Sequence, residues 1–250
     1  FDGESGQVKA GLASGLRENG CGYVGQQRLD DDIPWLQLIG AADEPDQQAS
    51  AWVFVQGDHF EPINLRTPPE DCLRGLAIHN PAILEDAINY ALESGLDLLL
   101  LCGNGDPIDC WSELKGPPDL RLIRDAITIL RTLNKEEALD LIWYGGARSG
   151  TDAAKLIAMG CKAIVYGVPL ALALGGAMSA DGIAFSSDLT TEERHQATVN
   201  LMKAHAGEAS MMARCTGKTK LHNLEPEDLR SIAIATAEDS GIPMPGTCVA

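Results

Sequence analysis

Asn80-Pro81-Ala82-Ile83-Leu84-Glu85-Asp86-Ala87-Ile88-Asn89-Tyr90-Ala91-Leu92-Glu93-Ser94-Gly95-Leu96-Asp97-Leu98-Leu99-Leu100-Leu101-Cys102 is the stretch on which the fold turns. Asn80 can cap a helix whose first position is Pro81, the favoured residue there. Ile83, Ala87, Ile88, Ala91 and Leu92 fall on one helical face. Gly95 ends the helix, and Leu96 to Leu101 is a nearly unbroken apolar run. A strand without a polar face is buried on both sides, which implies a parallel sheet covered by helices.

Working outward, the same unit recurs. A helix over roughly Leu120–Leu133 leads to a strand at Leu139–Tyr144. A helix over Thr151–Met159 leads to a strand at Ala163–Tyr166, and a short helix follows Pro169. Upstream, a helix near Val8–Glu18 precedes candidate strands at Gly22–Val24, Leu36–Ile39, Trp52–Val55 and Leu76–Ile78, with a polar surface loop at Asp43–Ser50. Alternating strands and helices fit a barrel or a doubly wound sheet. Seven strands are one short of an eight-stranded barrel, so the reading is a (β/α)8 TIM barrel lacking or shortening its first strand. The missing strand is expected before residue 1. Strands are expected to stop beyond Gly176, leaving 177–250 as a helical tail packed on a single domain spanning 1–250. In that tail Thr190-Thr191-Glu192-Glu193 has capping-box spacing ahead of a long helix reaching about Arg214. A second helix is expected from Pro226, with Glu227 and Asp228 in its first turn.

Composition bounds the function. A length of 250 residues suits one barrel. A net charge of −17 argues against nucleic acid, whose phosphates need clustered Lys and Arg. No run of 18 apolar residues or secretory signal is present, so neither a membrane span nor export is expected. The chain starts at Phe1 rather than Met, as a fragment or processed product would. Seven scattered cysteines (Cys21, Cys72, Cys102, Cys110, Cys161, Cys215 and Cys248) without a C-x-x-C pair read as free thiols in a reducing, cytoplasmic setting.

The residues richest in chemistry are Tyr144-Gly145-Gly146-Ala147-Arg148-Ser149-Gly150 and Tyr166-Gly167-Val168-Pro169. Both are glycine-marked exits from a strand into a helix. Bare amides at such turns form an anion site, and the last two turns of a barrel are a common place for phosphate. Arg148 can add charge-assisted hydrogen bonds. Against this stands a simpler reading, in which the glycines serve tight turns and Arg148 is merely solvated.

The stretch Gly145-Gly146-Ala147-Arg148-Ser149-Gly150-Thr151-Asp152-Ala153-Ala154-Lys155, with Met159-Gly160 and Tyr166-Gly167 through Ala173-Leu174-Gly175, resembles the flavin domain of the glutamate synthase family. The tail Ala213–Lys218 and Leu221–Leu229 is similar too, closest to stand-alone subunits including those of N-methylglutamate synthase type. The resemblance implies flavin mononucleotide (FMN), with its phosphate on Gly145, Gly146, Arg148 and Gly167 and on their neighbours Ala147 and Val168. Trp52–Gly57 is similar to a family strand that would bring Gln56 near flavin or substrate. Three departures lie on the substrate side. Asp58-His59-Phe60-Glu61-Pro62 follows where the family has a lysine, Gly103-Asn104-Gly105-Asp106-Pro107 replaces a G-G-T-G-A loop, and Val168-Pro169 replaces T-A. The cysteine triplet of an iron–sulfur cluster is absent, so no cluster or other metal is expected.

Weaker candidates are Asn104, His59 and Lys115 for substrate, Lys115 as a substitute for the lost cation. His79 sits near a strand end like His59, and a hydrogen-bonded structural role is the simpler account of both. His195, His205 and His222 lack metal-ligand spacing. Cys102 or Cys110 could approach a flavin, and Trp111 could cover a ring or simply pack. Three functions compete: an FMN-dependent oxidoreductase of glutamate synthase type, working on an imine or 2-oxoglutarate-derived intermediate with amidotransferase and electron-donor partners; a non-catalytic binding or assembly barrel; and a flavin-free phosphate-binding isomerase or lyase.

Overall fold

The computed structural model describes residues 1–63, 67–180 and 182–247; Cys248 lies outside them. Helix α1 (Gly6–Asn19) ends on Gly20, whose φ of 63° gives the left-handed cap. Three strands follow: β1 (Tyr23–Gly25), β2 (Trp35–Ile39) and β3 (Ala51–Val55). Then come β4 (Leu73–Ile78), α2 (Leu84–Glu93), β5 (Leu98–Cys102), α3 (Arg121–Thr132), β6 (Asp140–Tyr144), α4 (Gly150–Ala158), β7 (Ala163–Val165) and α5 (Val168–Ala173). Asn80 caps the turn leading into α2, its side chain accepting from the Ala82 amide at 2.9 Å.

All seven strands are parallel and lie in the sheet in chain order, β1 to β7. A doubly wound sheet reverses its strand order at a switch point. Here nothing reverses, so every crossover runs the same way and the sheet curls into a nearly closed barrel. Inward residues Leu38, Ala51, Val53, Ala77, Leu98, Leu100 and Cys102 form one buried cluster. Their alternates Leu76, Ile78, Leu99, Leu101, Leu141 and Trp143 point outward onto α2 and α3. That is why β5 reads as continuous leucine.

Among the described residues no helix covers the crossovers from β1 to β4. Tryptophans and loops cover that side instead. Trp35 donates its indole N–H to Gly25 O at 2.9 Å, and Trp52 donates to Asp46 O at 2.8 Å. The polar loop around Asp46 is thereby tied across the outer face.

Among the described residues β1 and β7 are unpaired on their outer edges, leaving one open seam. Outside it runs α6 (Thr191–Cys215), packed on α1, α4 and α5. Thr190 and Glu193 form the expected capping box of α6. The approach to α1 is close: a Cβ on Gly11 would lie 2.5 Å from that of Arg194. None of the helices is long and apolar enough to cross a membrane, among the described residues.

Two expectations for the tail are corrected. Strands do not stop at Gly176, because β8 (Gly176–Ser179) and β9 (Gly182–Phe185) form an antiparallel hairpin. Its exposed Met178 and small residues carry no alternating apolar signal. The last helix, α7, spans Ile234–Ser240, while Pro226–Asp228 makes only a single turn. Leu229 beyond it is extended, and the Ser231 amide is bound to Pro243 O, which draws the chain away from a helical path.

Candidate anion site at the ends of β6 and β7

Tyr144 and Val165 are register partners in adjacent parallel strands, so the two glycine turns leave the barrel side by side at its C-terminal end. Gly145 and Gly146 take φ of 147° and 62°, which L side chains adopt with difficulty. A Cβ on Gly145 would also stand 2.6 Å from Asn104 Oδ1. The turns are tied together where the Tyr166 hydroxyl donates to Ser149 O at 3.1 Å.

The loop after β5 reaches into this place. Trp111 has φ 53° and ψ 42°, a left-handed conformation that is strained for a bulky residue. The reversal there turns Ser112 and Glu113 inward, and Glu113 is only 8% exposed. Its Oε2 accepts from the Val168 amide at 2.8 Å, and the amides of Gly146 and Gly167 also favour its charged form. A Cβ on Gly167 would overlap Oε2. Oε1 is buried without a hydrogen-bond partner. Burial raises the Glu113 pKa, and the three amides only partly offset it. Glu113 is the residue that sequence reasoning missed: an acid beside Ser112 and Leu114 carries no local mark of burial.

The donors gathered here suit an anion, since a carboxylate already sits on them. They differ from the set expected. The N-terminus of α4 is not free for a ligand: Ser149 Oγ accepts from the Asp152 amide at 3.2 Å, and Glu208 of α6 covers Gly150 and Thr151. That closure lowers the Glu208 pKa, first through the Thr151 hydroxyl. What stays directed at the shared site are amides of Gly146, Gly167 and Val168. Arg148 is exposed, and its guanidinium makes no ion pair among the described residues. Its backbone N–H donates to Asp152 at 3.1 Å. Ala147 is buried in the outer core.

The substrate-side candidates are dispersed. Gln56 is buried at the end of β3, but its Oε1 accepts from the Glu61 amide at 3.0 Å and so fixes its own loop. His59 lies exposed on that loop. Asn104 donates to Gly116 O at 2.6 Å, while its Oδ1 is buried without a partner. Lys115 is exposed and ion-paired with Asp109. Cys102 is buried, which raises its thiol pKa well above the ordinary value and makes it a poor nucleophile. Trp111 packs against Phe1 and Phe185, with ring centroids 5.3 and 6.4 Å away. His205 rests on Tyr166 at 4.7 Å, and burial lowers its pKa.

No family model matches the chain. Over 190 residues, 63% of its length, the chain is 30% identical to the "Glutamate synthase large subunit-like protein" of Rhizobium meliloti (strain 1021). It spans 43% of that relative. Among solved structures, a mandelate oxidase variant matches with a TM-score of 0.57 at 15% identity, over 86% of this chain and 72% of the other. Mandelate oxidase with a monooxide FMN adduct matches at 0.56 over the same shares, also at 15% identity. At that identity the likeness is one of fold. In sequence, then, this barrel is similar to a glutamate synthase large subunit-like protein, the resemblance its glycine turns already carry.

Proposed function

We propose that the chain is the FMN-binding barrel of a glutamate synthase-type oxidoreductase, acting on an imine or 2-oxoglutarate-derived intermediate within a larger assembly. The observation that carries this reading is the buried Glu113 carboxylate accepting from the Val168 amide between the two glycine turns, at the barrel end where phosphates bind. The relative of that description supports it, as do FMN-containing barrels of the same fold. The amides would hold the FMN phosphate and Arg148 would add charge from the rim. Bound there, FMN would supply the electron transfer. Ammonia or methylamine, and electrons, would come from an amidotransferase and an electron-donor partner, in keeping with a chain that spans less than half of its relative.

A second reading is a non-catalytic binding or assembly barrel. It is favoured by the seated Glu113 and by the pairing of Lys115, the substitute cation considered, with Asp109. Visible absorption after reconstitution with FMN tests the first reading. Flavin bands that persist through desalting support it, and their absence overturns it. Reduction of bound flavin by an electron donor then separates an oxidoreductase from a passive barrel.

A further inference from the structure

We propose that Glu113 is a built-in competitor for the Gly146–Val168 anion site, so that a phosphate monoester enters only by displacing it. This rests on reading that site as the seat of a flavin phosphate. The carboxylate sits in the site itself, on the Val168 amide and against Gly167. Its Oε2 accepts from Val168 at 2.8 Å, and its fit against Gly167 leaves no room even for a methyl group. Two anions cannot share such a space, on volume or on charge.

The seat is held imperfectly. Oε1 has no hydrogen-bond partner although it is buried, and a satisfied structural carboxylate would use both oxygens. The segment that delivers it is fastened from outside the site. Trp111, in its left-handed conformation, is wedged against Phe1 and Phe185. Lys115 is paired with Asp109, and Asn104 holds Gly116 O. These contacts can persist or reform while Glu113 leaves, because none of them involves its carboxylate. A site open for only a fraction of the time binds more weakly by that fraction. Glu113 would thus set the apparent affinity for phosphate without touching the bound ligand.

The test is titration calorimetry of wild type and Glu113→Ala with three probes: FMN, riboflavin, which lacks the phosphate, and inorganic phosphate. The expected result is binding of FMN and phosphate tighter by about tenfold or more in the variant, with riboflavin unchanged. Phosphate affinity that stays level or falls in Glu113→Ala overturns the proposal. Tighter phosphate binding with no FMN binding by either protein upholds competition and overturns the flavin reading. FMN binding without any gain in the variant does the reverse. Should Glu113→Ala not fold, Glu113→Ser, which removes both the bulk and the charge from the seat, is judged by the same criterion. In wild type, saturating phosphate should also speed amide exchange across 109–116; unchanged exchange there counts against displacement.

Discussion

Glu208 Oε2 accepts the backbone N–H of Gly150 at 2.8 Å, from a helix 58 residues further along the chain. The two helices touch at backbone level here. A Cβ on Gly150 would overlap His205 O and stand 2.8 Å from Ala209 N. By helix propensity alone, alanine at Gly150 would stabilise α4 by about 1 kcal/mol. Contact with main-chain atoms reverses the sign, because neither helix can yield by rotating a side chain. Gly150→Ala is expected to cost about 3 kcal/mol or more, beyond the usual overpacking range. Urea unfolding checks this; a neutral or stabilising result would mean α4 and α6 are not so close.

The same contact has a pH signature. The folded-state pKa of Glu208 lies below its ordinary value of 4.5, first because the Thr151 hydroxyl donates to it, with burial opposing. A depressed carboxylate contributes stability above its unfolded pKa and loses it as pH falls through the folded one. The difference in Tm between wild type and Glu208→Gln should therefore be level near neutrality and shrink in acid. A difference that grows in acid would contradict the assignment.

Much of the barrel is legible in the sequence, because its later strands and helices carry their own signals. The leucine run of β5 shows burial on both faces, and Gly145 and Gly146 after β6 mark a turn that only glycine makes easily. What decides the site is written elsewhere. Glu113 meets the Val168 amide across 55 residues, and Glu208 closes α4 across 58. No local pattern distinguishes either acid from a solvated one. The β8–β9 hairpin is hidden for a related reason: β8 is short and exposed, and in β9 only Ile183 is buried, too little to mark a strand.

Arg194 is fully buried in α6, with Nη1 donating to Leu174 O and Nη2 to Ser186 O. It ties α6 to the end of α5 and to the segment after β9. Arg194→Ala should cost about 3 kcal/mol or more, from lost charge-assisted hydrogen bonds plus a cavity. Arg194→Met restores volume but leaves both carbonyls unpaired, so it should recover only part. Complete recovery in Met would show that the guanidinium acts by size alone.

Arg148 should behave in the opposite way. Its exposed guanidinium supports little in the folded protein, so Arg148→Ala should leave stability within about 0.5 kcal/mol. Under the phosphate reading the same change weakens FMN binding by about 1.5–3 kcal/mol, the scale of a charge-assisted hydrogen bond. Thermal unfolding and flavin fluorescence titration give the two numbers. Unchanged flavin affinity would make Arg148 a solvated surface residue.

The isolated chain should form little or no glutamate from 2-oxoglutarate, ammonia and a reduced flavin donor, even where it retains FMN. A dicarboxylate needs cations placed to hold it while it reacts. Where the family that the glycine turns resemble carries a lysine after the third strand, this chain runs Asp58-His59, and His59 is exposed. Lys115, the substitute considered for it, is paired with Asp109. Gln56 gives its oxygen to the Glu61 amide, so its polar end fixes a loop. Asp109→Ala frees Lys115 and provides the internal control: turnover that appears in that variant but not in wild type would identify Lys115 as the missing cation. Robust glutamate formation by the unaltered chain would show that its substrate side is complete as it stands.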